Sequence, residues 1–146
     1  MSATHPVYAL QQAWALAVKR QDLSQIQSFY PAEFRAFDAV KQLQFNAGDY
    51  FVHWQQCMEF CPGHSHFDLH QVQLHSSGEL ALVTALVYCA GSDEQGNSQG
   101  CWMRLSQGWQ LQQNNWRIIH DHFSVPFDMV TTQVLFQLSP EQGEPV

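Results

Sequence analysis

The segment Trp116-Arg117-Ile118-Ile119-His120-Asp121-His122-Phe123-Ser124-Val125-Pro126-Phe127-Asp128 decides the fold. Its β-branched and aromatic residues favour an extended chain, and Pro126 ends the run. Side chains alternate across a strand, so Trp116, Ile118, His120 and His122 should share one face and Arg117, Ile119, Asp121 and Phe123 the other. Only one of those sets can line a cavity.

The residues before this strand extend it into a sheet. Gln113-Asn114-Asn115 can make a tight turn, because asparagine tolerates positive φ, and Cys101 to Leu111 reads as the partner strand of a hairpin. Leu80 to Cys89 is almost continuously apolar, which predicts a central strand covered on both faces, followed by an exposed loop from Gly91 to Gly100. Further upstream, Phe67 and Leu69 are followed by Val72 and Leu74 in the opposite phase, a switch that predicts a bulge near His70-Gln71. The sheet is therefore expected to be largely antiparallel.

The first half of the chain has helical periodicity. Val7, Leu10, Ala13, Trp14, Ala17 and Val18 form one stripe, with Gln11, Gln12 and Lys19 opposite. Asp22 or Ser24 can cap a second short helix carrying Leu23, Ile26 and Tyr30, ended by Pro31, and a short strand runs from Glu33 to Asp38. Asn46 is the expected cap of a longer helix whose stripe is Tyr50, Trp54, Cys57, Met58 and Cys61, with Pro62-Gly63 stopping it. Beyond Pro126, Val130, Val134, Leu135 and Leu138 have helix-like spacing, and 139–146 reads as a frayed end. Helices first and a meandering sheet second is an α+β order, with helices packed on one face of a bent sheet.

Composition narrows the classes of function. A chain of 146 residues, 45% hydrophobic, suits one domain with a substantial core. Six basic residues scattered through a chain of net charge −7 form no footprint for nucleic acid or an anionic membrane. No stretch approaches the roughly 20 apolar residues needed to span a bilayer, and no signal-like segment opens the chain, so a soluble, cytoplasmic protein is expected. Four cysteines are too few for a disulfide scaffold and are read as reduced thiols.

The order of elements, Phe29-Tyr30 followed by Phe37-Asp38, Trp102-x-Arg104, and the His120-Asp121-His122-Phe123-Ser124-Val125-Pro126-Phe127-Asp128 run together resemble the SnoaL-like, ketosteroid-isomerase-related branch of the nuclear-transport-factor-2-like superfamily. The resemblance covers roughly residues 5 to 138. It implies a cystatin-like, cone-shaped half-barrel in which a strongly bent sheet wraps the long helix around a pocket, while the outer face forms a homodimer. It further implies cofactor-independent proton transfer on a small, partly apolar organic ligand: isomerisation, cyclisation or dehydration. Members of this superfamily also serve as noncatalytic binding or oligomerisation domains, so fold alone does not choose between these readings.

Three residues are the catalytic candidates implied by the resemblance. Asp38 falls where ketosteroid isomerases carry their base, although aspartate at this place is equally a turn carboxylate. Asp121 lies on the last strand, where related cyclases use a carboxylate, and matching the pocket-lining phase turns Ile119, Asp121 and Phe123 inward. Arg104 stands at the oxyanion position; a guanidinium there holds an anionic oxygen or pairs with Asp121 or Asp38. Trp14, Tyr50, Trp54, Trp102 and Phe123 are the candidate ligand wall, and core packing explains them as well. The His120 and His122 pair would face outward, toward a partner copy.

Metal and thiol chemistry are the remaining alternatives. Cys57-x3-Cys61 with His64-x-His66 brings thiols and imidazoles near one another, but the spacing is unusual for structural zinc, so no metal is assigned. A nucleophilic cysteine needs a nearby base, and a helix C-terminus such as that at Cys61 does not favour a thiolate.

Overall fold

A computed structural model of the chain describes residues 4–60, 66–92, 95 and 98–141. Three helices come first, α1 (Pro6–Lys19), α2 (Leu23–Gln27) and α3 (Ala47–Phe60), with two short strands, β1 (Arg35–Ala36) and β2 (Phe45–Asn46), between the last two. Four long strands follow: β3 (His66–Ser77), β4 (Leu80–Ser92), β5 (Ser98–Gln112) and β6 (Asn115–Ser124). They pair antiparallel in the order β3-β4-β5-β6, an open meander, and β1 pairs with β2 in a separate ribbon. The architecture is α+β, as the order of patterns predicts.

Local chemistry accounts for the element boundaries. His5 caps α1 by accepting from the Val7 amide, and Asp22 caps α2 by accepting from Gln25. The Asn46 side chain accepts from the Asp49 amide, the role its position predicts at the start of α3. Gln113 and Asn114, both at positive φ (51° and 67°), form a two-residue turn between β5 and β6 whose twist matches that of the strands it joins.

The α1 stripe differs from the periodicity in one respect. Gln11, expected on the polar side, is fully buried, while Ala13 is exposed. The helix turns that way because the Gln11 amide donates to Gln107 Oε1 at 2.8 Å, a polar contact a hydrophobicity pattern does not register.

Two bulges set which side chains face the core. In β3 the register shifts between His70 and Gln73, with Gln71 at φ 54°, where the switch of phase predicts it. The second lies in β6 and changes the reading of that strand. His120 pairs with Gly108 and Ile118 with Trp109, so Ile119 is one residue too many for its partner strand. Strict alternation separates Ile118 from Asp121 and groups Ile119 with it; the bulge resets the phase, so that Ile118, Asp121 and Phe123 are all buried and Ile119 is not.

The outer edge of β6 receives Phe37. Its amide donates to the Asp121 carbonyl and its carbonyl accepts from Phe123, both at 2.9 Å. The helix-like spacing beyond Pro126 does not produce a helix. Instead Phe127 pairs with Val134 across a turn in which the Asp128 carboxylate accepts from the Val130 and Thr131 amides. Those amides are held by a side chain rather than by helical carbonyls, and Met129 and Val130 stay exposed because no surface is there to cover them. Residues 142–146 of the expected frayed end lie outside the described residues. No helix among the described residues is long and apolar enough to cross a membrane.

Candidate functional site

Two groups of polar side chains occupy the concave side of the sheet. The deeper one is centred on Asp121, which is wholly buried. Tyr30 donates to Asp121 Oδ2 at 2.5 Å and Tyr50 donates to the same oxygen at 2.9 Å, while Gln107 Nε2 donates to Oδ1 at 2.9 Å. Outside these three stand Trp14 Nε1, donating to Tyr30 Oη, and Gln11 and Trp109, both donating to Gln107 Oε1. Burial pushes the Asp121 carboxyl above its ordinary range, and the three donors oppose that rise without reversing it. The Tyr30 and Tyr50 hydroxyls are pushed well above theirs, first by burial and then by the charge of Asp121.

The second group opens onto a cavity of about 350 Å3 between α3 and the inner faces of β4 and β5. Its wall is largely apolar, with Trp54, Met58, Phe67, Met103 and Phe123 prominent, and Asp38, His53, Gln21 and His66 are among its polar lining residues. His53 Nε2 lies 2.5 Å from Asp38 Oδ2, with side-chain exposures of 4% and 16% respectively. The remaining Asp38 oxygen accepts from the Ala39 amide at 2.6 Å, and the His53 ring stacks on Phe45 at 4.5 Å. Both members of the pair are thus held from a second direction. Pairing of Phe37 with β6 places the following Asp38 here, and the cap at Asn46 sets the rotation of α3 that presents His53. The Trp54 indole N–H, one residue on, is buried with no acceptor among the described residues.

The structure divides the residues predicted from sequence into three locations. Asp38, Trp54 and Phe123 line the cavity. Trp14, Tyr50 and Asp121 belong to the sealed network and do not line it. Arg104 and Trp102, expected to turn inward, are on the opposite face of the sheet. Arg104 is exposed and donates to Ser124 Oγ at 3.0 Å, and Trp102 packs on Tyr88 and His70. Even-numbered residues of β5 point outward in this register, whereas Met103, Leu105 and Gln107 point inward. His120 and His122 are on the outer side, each ring edge-on to Phe37.

His53 was not singled out by the sequence. Its signal was its place on α3, one turn ahead of Cys57 and beside Trp54, but an imidazole in an aromatic stripe carries no chemistry until its partner is known. Cys61 and His64, half of the cysteine and histidine cluster, lie outside the described residues. Among the described residues no three His, Cys, Asp or Glu side chains are placed to hold a metal ion.

Comparison with known proteins agrees with this fold. Among solved structures, the chain is similar to an NTF2-like protein of unknown function from Pseudomonas putida KT2440, at 38% identity over 92% of this chain and 94% of that one, with a TM-score of 0.84. It shares its fold with an uncharacterized protein with a cystatin-like fold from Caulobacter vibrioides (14% identity, 86% and 90% covered, TM-score 0.70). The same holds for the association domain of C. elegans CaMKII (16% identity, 81% and 92% covered, TM-score 0.66). No curated protein matches the chain. The SnoaL-like domain matches residues 7–128, nearly the whole of the helices and sheet just described, and the chain therefore belongs to the SnoaL-like family.

Proposed function

We propose that this protein binds a small, largely apolar organic molecule carrying a carbonyl group, and moves a proton on it without a cofactor. The observation that carries this reading is the Asp38–His53 pair at 2.5 Å, opening onto the apolar cavity. With Asp38 accepting from Nε2–H, Nδ1 is the basic nitrogen of His53. It takes a proton from the carbon next to the carbonyl, and Asp38 stabilises the imidazolium that forms; returning the proton to another atom completes an isomerisation or dehydration. A cavity of this volume accommodates a small organic molecule. Asp121 contributes by holding the inner wall rather than by touching the ligand, and Arg104 has no part in the site.

The test uses 2-tetralone, an apolar ketone, in deuterated buffer, with exchange of its α-hydrogens followed by NMR. The wild-type protein should accelerate exchange over free imidazole at equal concentration, and His53→Gln should lower the protein's rate by about 10²–10⁴-fold. No acceleration by folded wild-type protein would sink the reading.

Assembly is the second part of the proposal. Leu80 and Leu82 are half exposed on the outer face of β4, beside the partly buried Leu86, Tyr88 and Trp102, and they support a homodimer through that face. If the cavity proves inert, this surface is what favours a noncatalytic association domain, in keeping with the structural likeness to the CaMKII association domain. Leu82→Glu should shift the protein from dimer to monomer by sedimentation; a wild-type monomer would refute assembly.

A further inference from the structure

The cavity wall carries three cysteines, Cys57 on α3 and the facing pair Cys89 and Cys101 on β4 and β5. Cys57 has an imidazole beside it. One helical turn separates it from His53, so the two side chains share a helix face. Its Sγ lies 3.7 Å from Nε2 and 3.9 Å from Nδ1 of the imidazole that Asp38 holds at 2.5 Å. Thiol, imidazole and carboxylate therefore stand together at the edge of one apolar cavity, with the sulfur over the imidazole ring. A nucleophile beside a base that a third group orients is the arrangement that activates cysteine for covalent chemistry.

We infer that Cys57 is a nucleophile served by His53 and Asp38, and that the cavity captures small apolar α,β-unsaturated carbonyl compounds by conjugate addition to Cys57. The inference rests on the reading of Asp38–His53 as a proton carrier and names a class of ligand for it. Sγ forms a bond to the β-carbon of the ligand while the carbon–carbon π bond breaks. The thiol proton passes to His53 and from there to the α-carbon, so atoms and charge balance with no oxidant, reductant or leaving group. A thiol near a helix C-terminus gains nothing from the helix dipole, so removal of its proton falls to the imidazole. Sγ is almost equally far from both ring nitrogens, whereas a sulfur in line with one would stand much farther from the other; a rotation of the thiol toward Nδ1 precedes transfer.

The experiment treats the folded protein with 2-cyclohexenone and follows adduct formation at each cysteine by intact-mass and peptide mass spectrometry, with glutathione as the reference thiol. Cys57 should add the enone about 10²-fold faster than glutathione does, and His53→Gln should return it to the glutathione rate. Asp38→Asn, which keeps the imidazole and removes the charge of its partner, should slow it in the same direction, a second variant should the first fail to fold. Reaction at Cys89 or Cys101 as fast as at Cys57, or a Cys57 rate indifferent to His53→Gln, would overturn the inference, because the cavity would then only concentrate the probe. Exchange of 2-tetralone without addition at Cys57 removes this inference and leaves the proton-transfer reading intact; addition that depends on His53, without exchange, keeps Asp38–His53 as the proton carrier of the thiol and removes proton abstraction from carbon.

Discussion

Asp121 and Asp38 are both carboxylates on the concave side of one sheet, and they stand in opposite situations. Asp121 has no exposure and accepts from two tyrosines and a glutamine, each fixed in turn by further residues. Asp38 accepts from one backbone amide and one imidazole, and that imidazole faces a cavity. A carboxylate whose lone pairs are filled and sealed from water holds secondary elements together; one paired with an imidazole beside an open volume can pass charge to a ligand. Neither the residue type nor its place in the family pattern distinguishes them. Their surroundings do.

The comparison breaks most sharply at Asp121. Asp121→Asn puts an amide donor where only acceptors fit. Gln107 Oε1 already accepts from Gln11 and Trp109, so that side chain cannot turn to accept, and a Tyr30 or Tyr50 hydroxyl that accepts from the new amide leaves its own O–H without the Oδ2 acceptor. The expected cost is about 1–3 kcal/mol for each donor left without an acceptor, read as a fall in the midpoint of chemical unfolding. Unchanged stability would make the network decorative and return Asp121 to the list of catalytic candidates.

A gentler probe of the same region is pH. Burial raises the Asp121 carboxyl, so the folded chain holds that proton more tightly than the unfolded chain does. This contribution to stability is full below the ordinary carboxylate range and is lost as pH rises through the raised folded value. The Tyr30 and Tyr50 hydroxyls, raised well above the ordinary value, act in the same sense at high pH. The unfolded chain ionises first, and stability falls as pH passes about 10. Urea unfolding across pH should show both slopes, and Asp121→Asn should lack the first. The phenolate absorbance that Tyr30→Phe and Tyr50→Phe remove should appear only as the wild-type chain unfolds.

The smallest effect on stability, and the one that sharpens the contrast, belongs to Asp38. Asp38→Asn retains an oxygen for the Ala39 amide and should change the unfolding free energy by less than about 1 kcal/mol, while slowing 2-tetralone exchange at least about tenfold. Equal loss of stability and exchange would erase the difference between the two carboxylates.

Much of this molecule was legible as sequence because periodicity and capping act over a few residues. The Val7 to Val18 stripe, the Asn46 cap, the β3 bulge and the Gln113–Asn114 turn all follow from spacing and backbone preference, and together with the His120 to Asp128 run they specify the family. Asp38 and Trp54 were legible as candidates by position. What stayed hidden depends on contacts between distant parts of the chain. The β6 bulge that turns Ile118, Asp121 and Phe123 inward is set by pairing with Gly108 and Trp109. Arg104 faces outward because of the register of β5 against β4 and β6. Gln11 is buried by an amide 96 residues away, and His53 meets its partner only when the fold brings Asp38 against it. Sequence alone determined the elements and the family, since those rest on local free energies that repeat wherever the pattern does. Only the tertiary structure decided which carboxylate is sealed and which is open, because burial and hydrogen-bond partners are properties of the assembled neighbourhood and not of any residue within it.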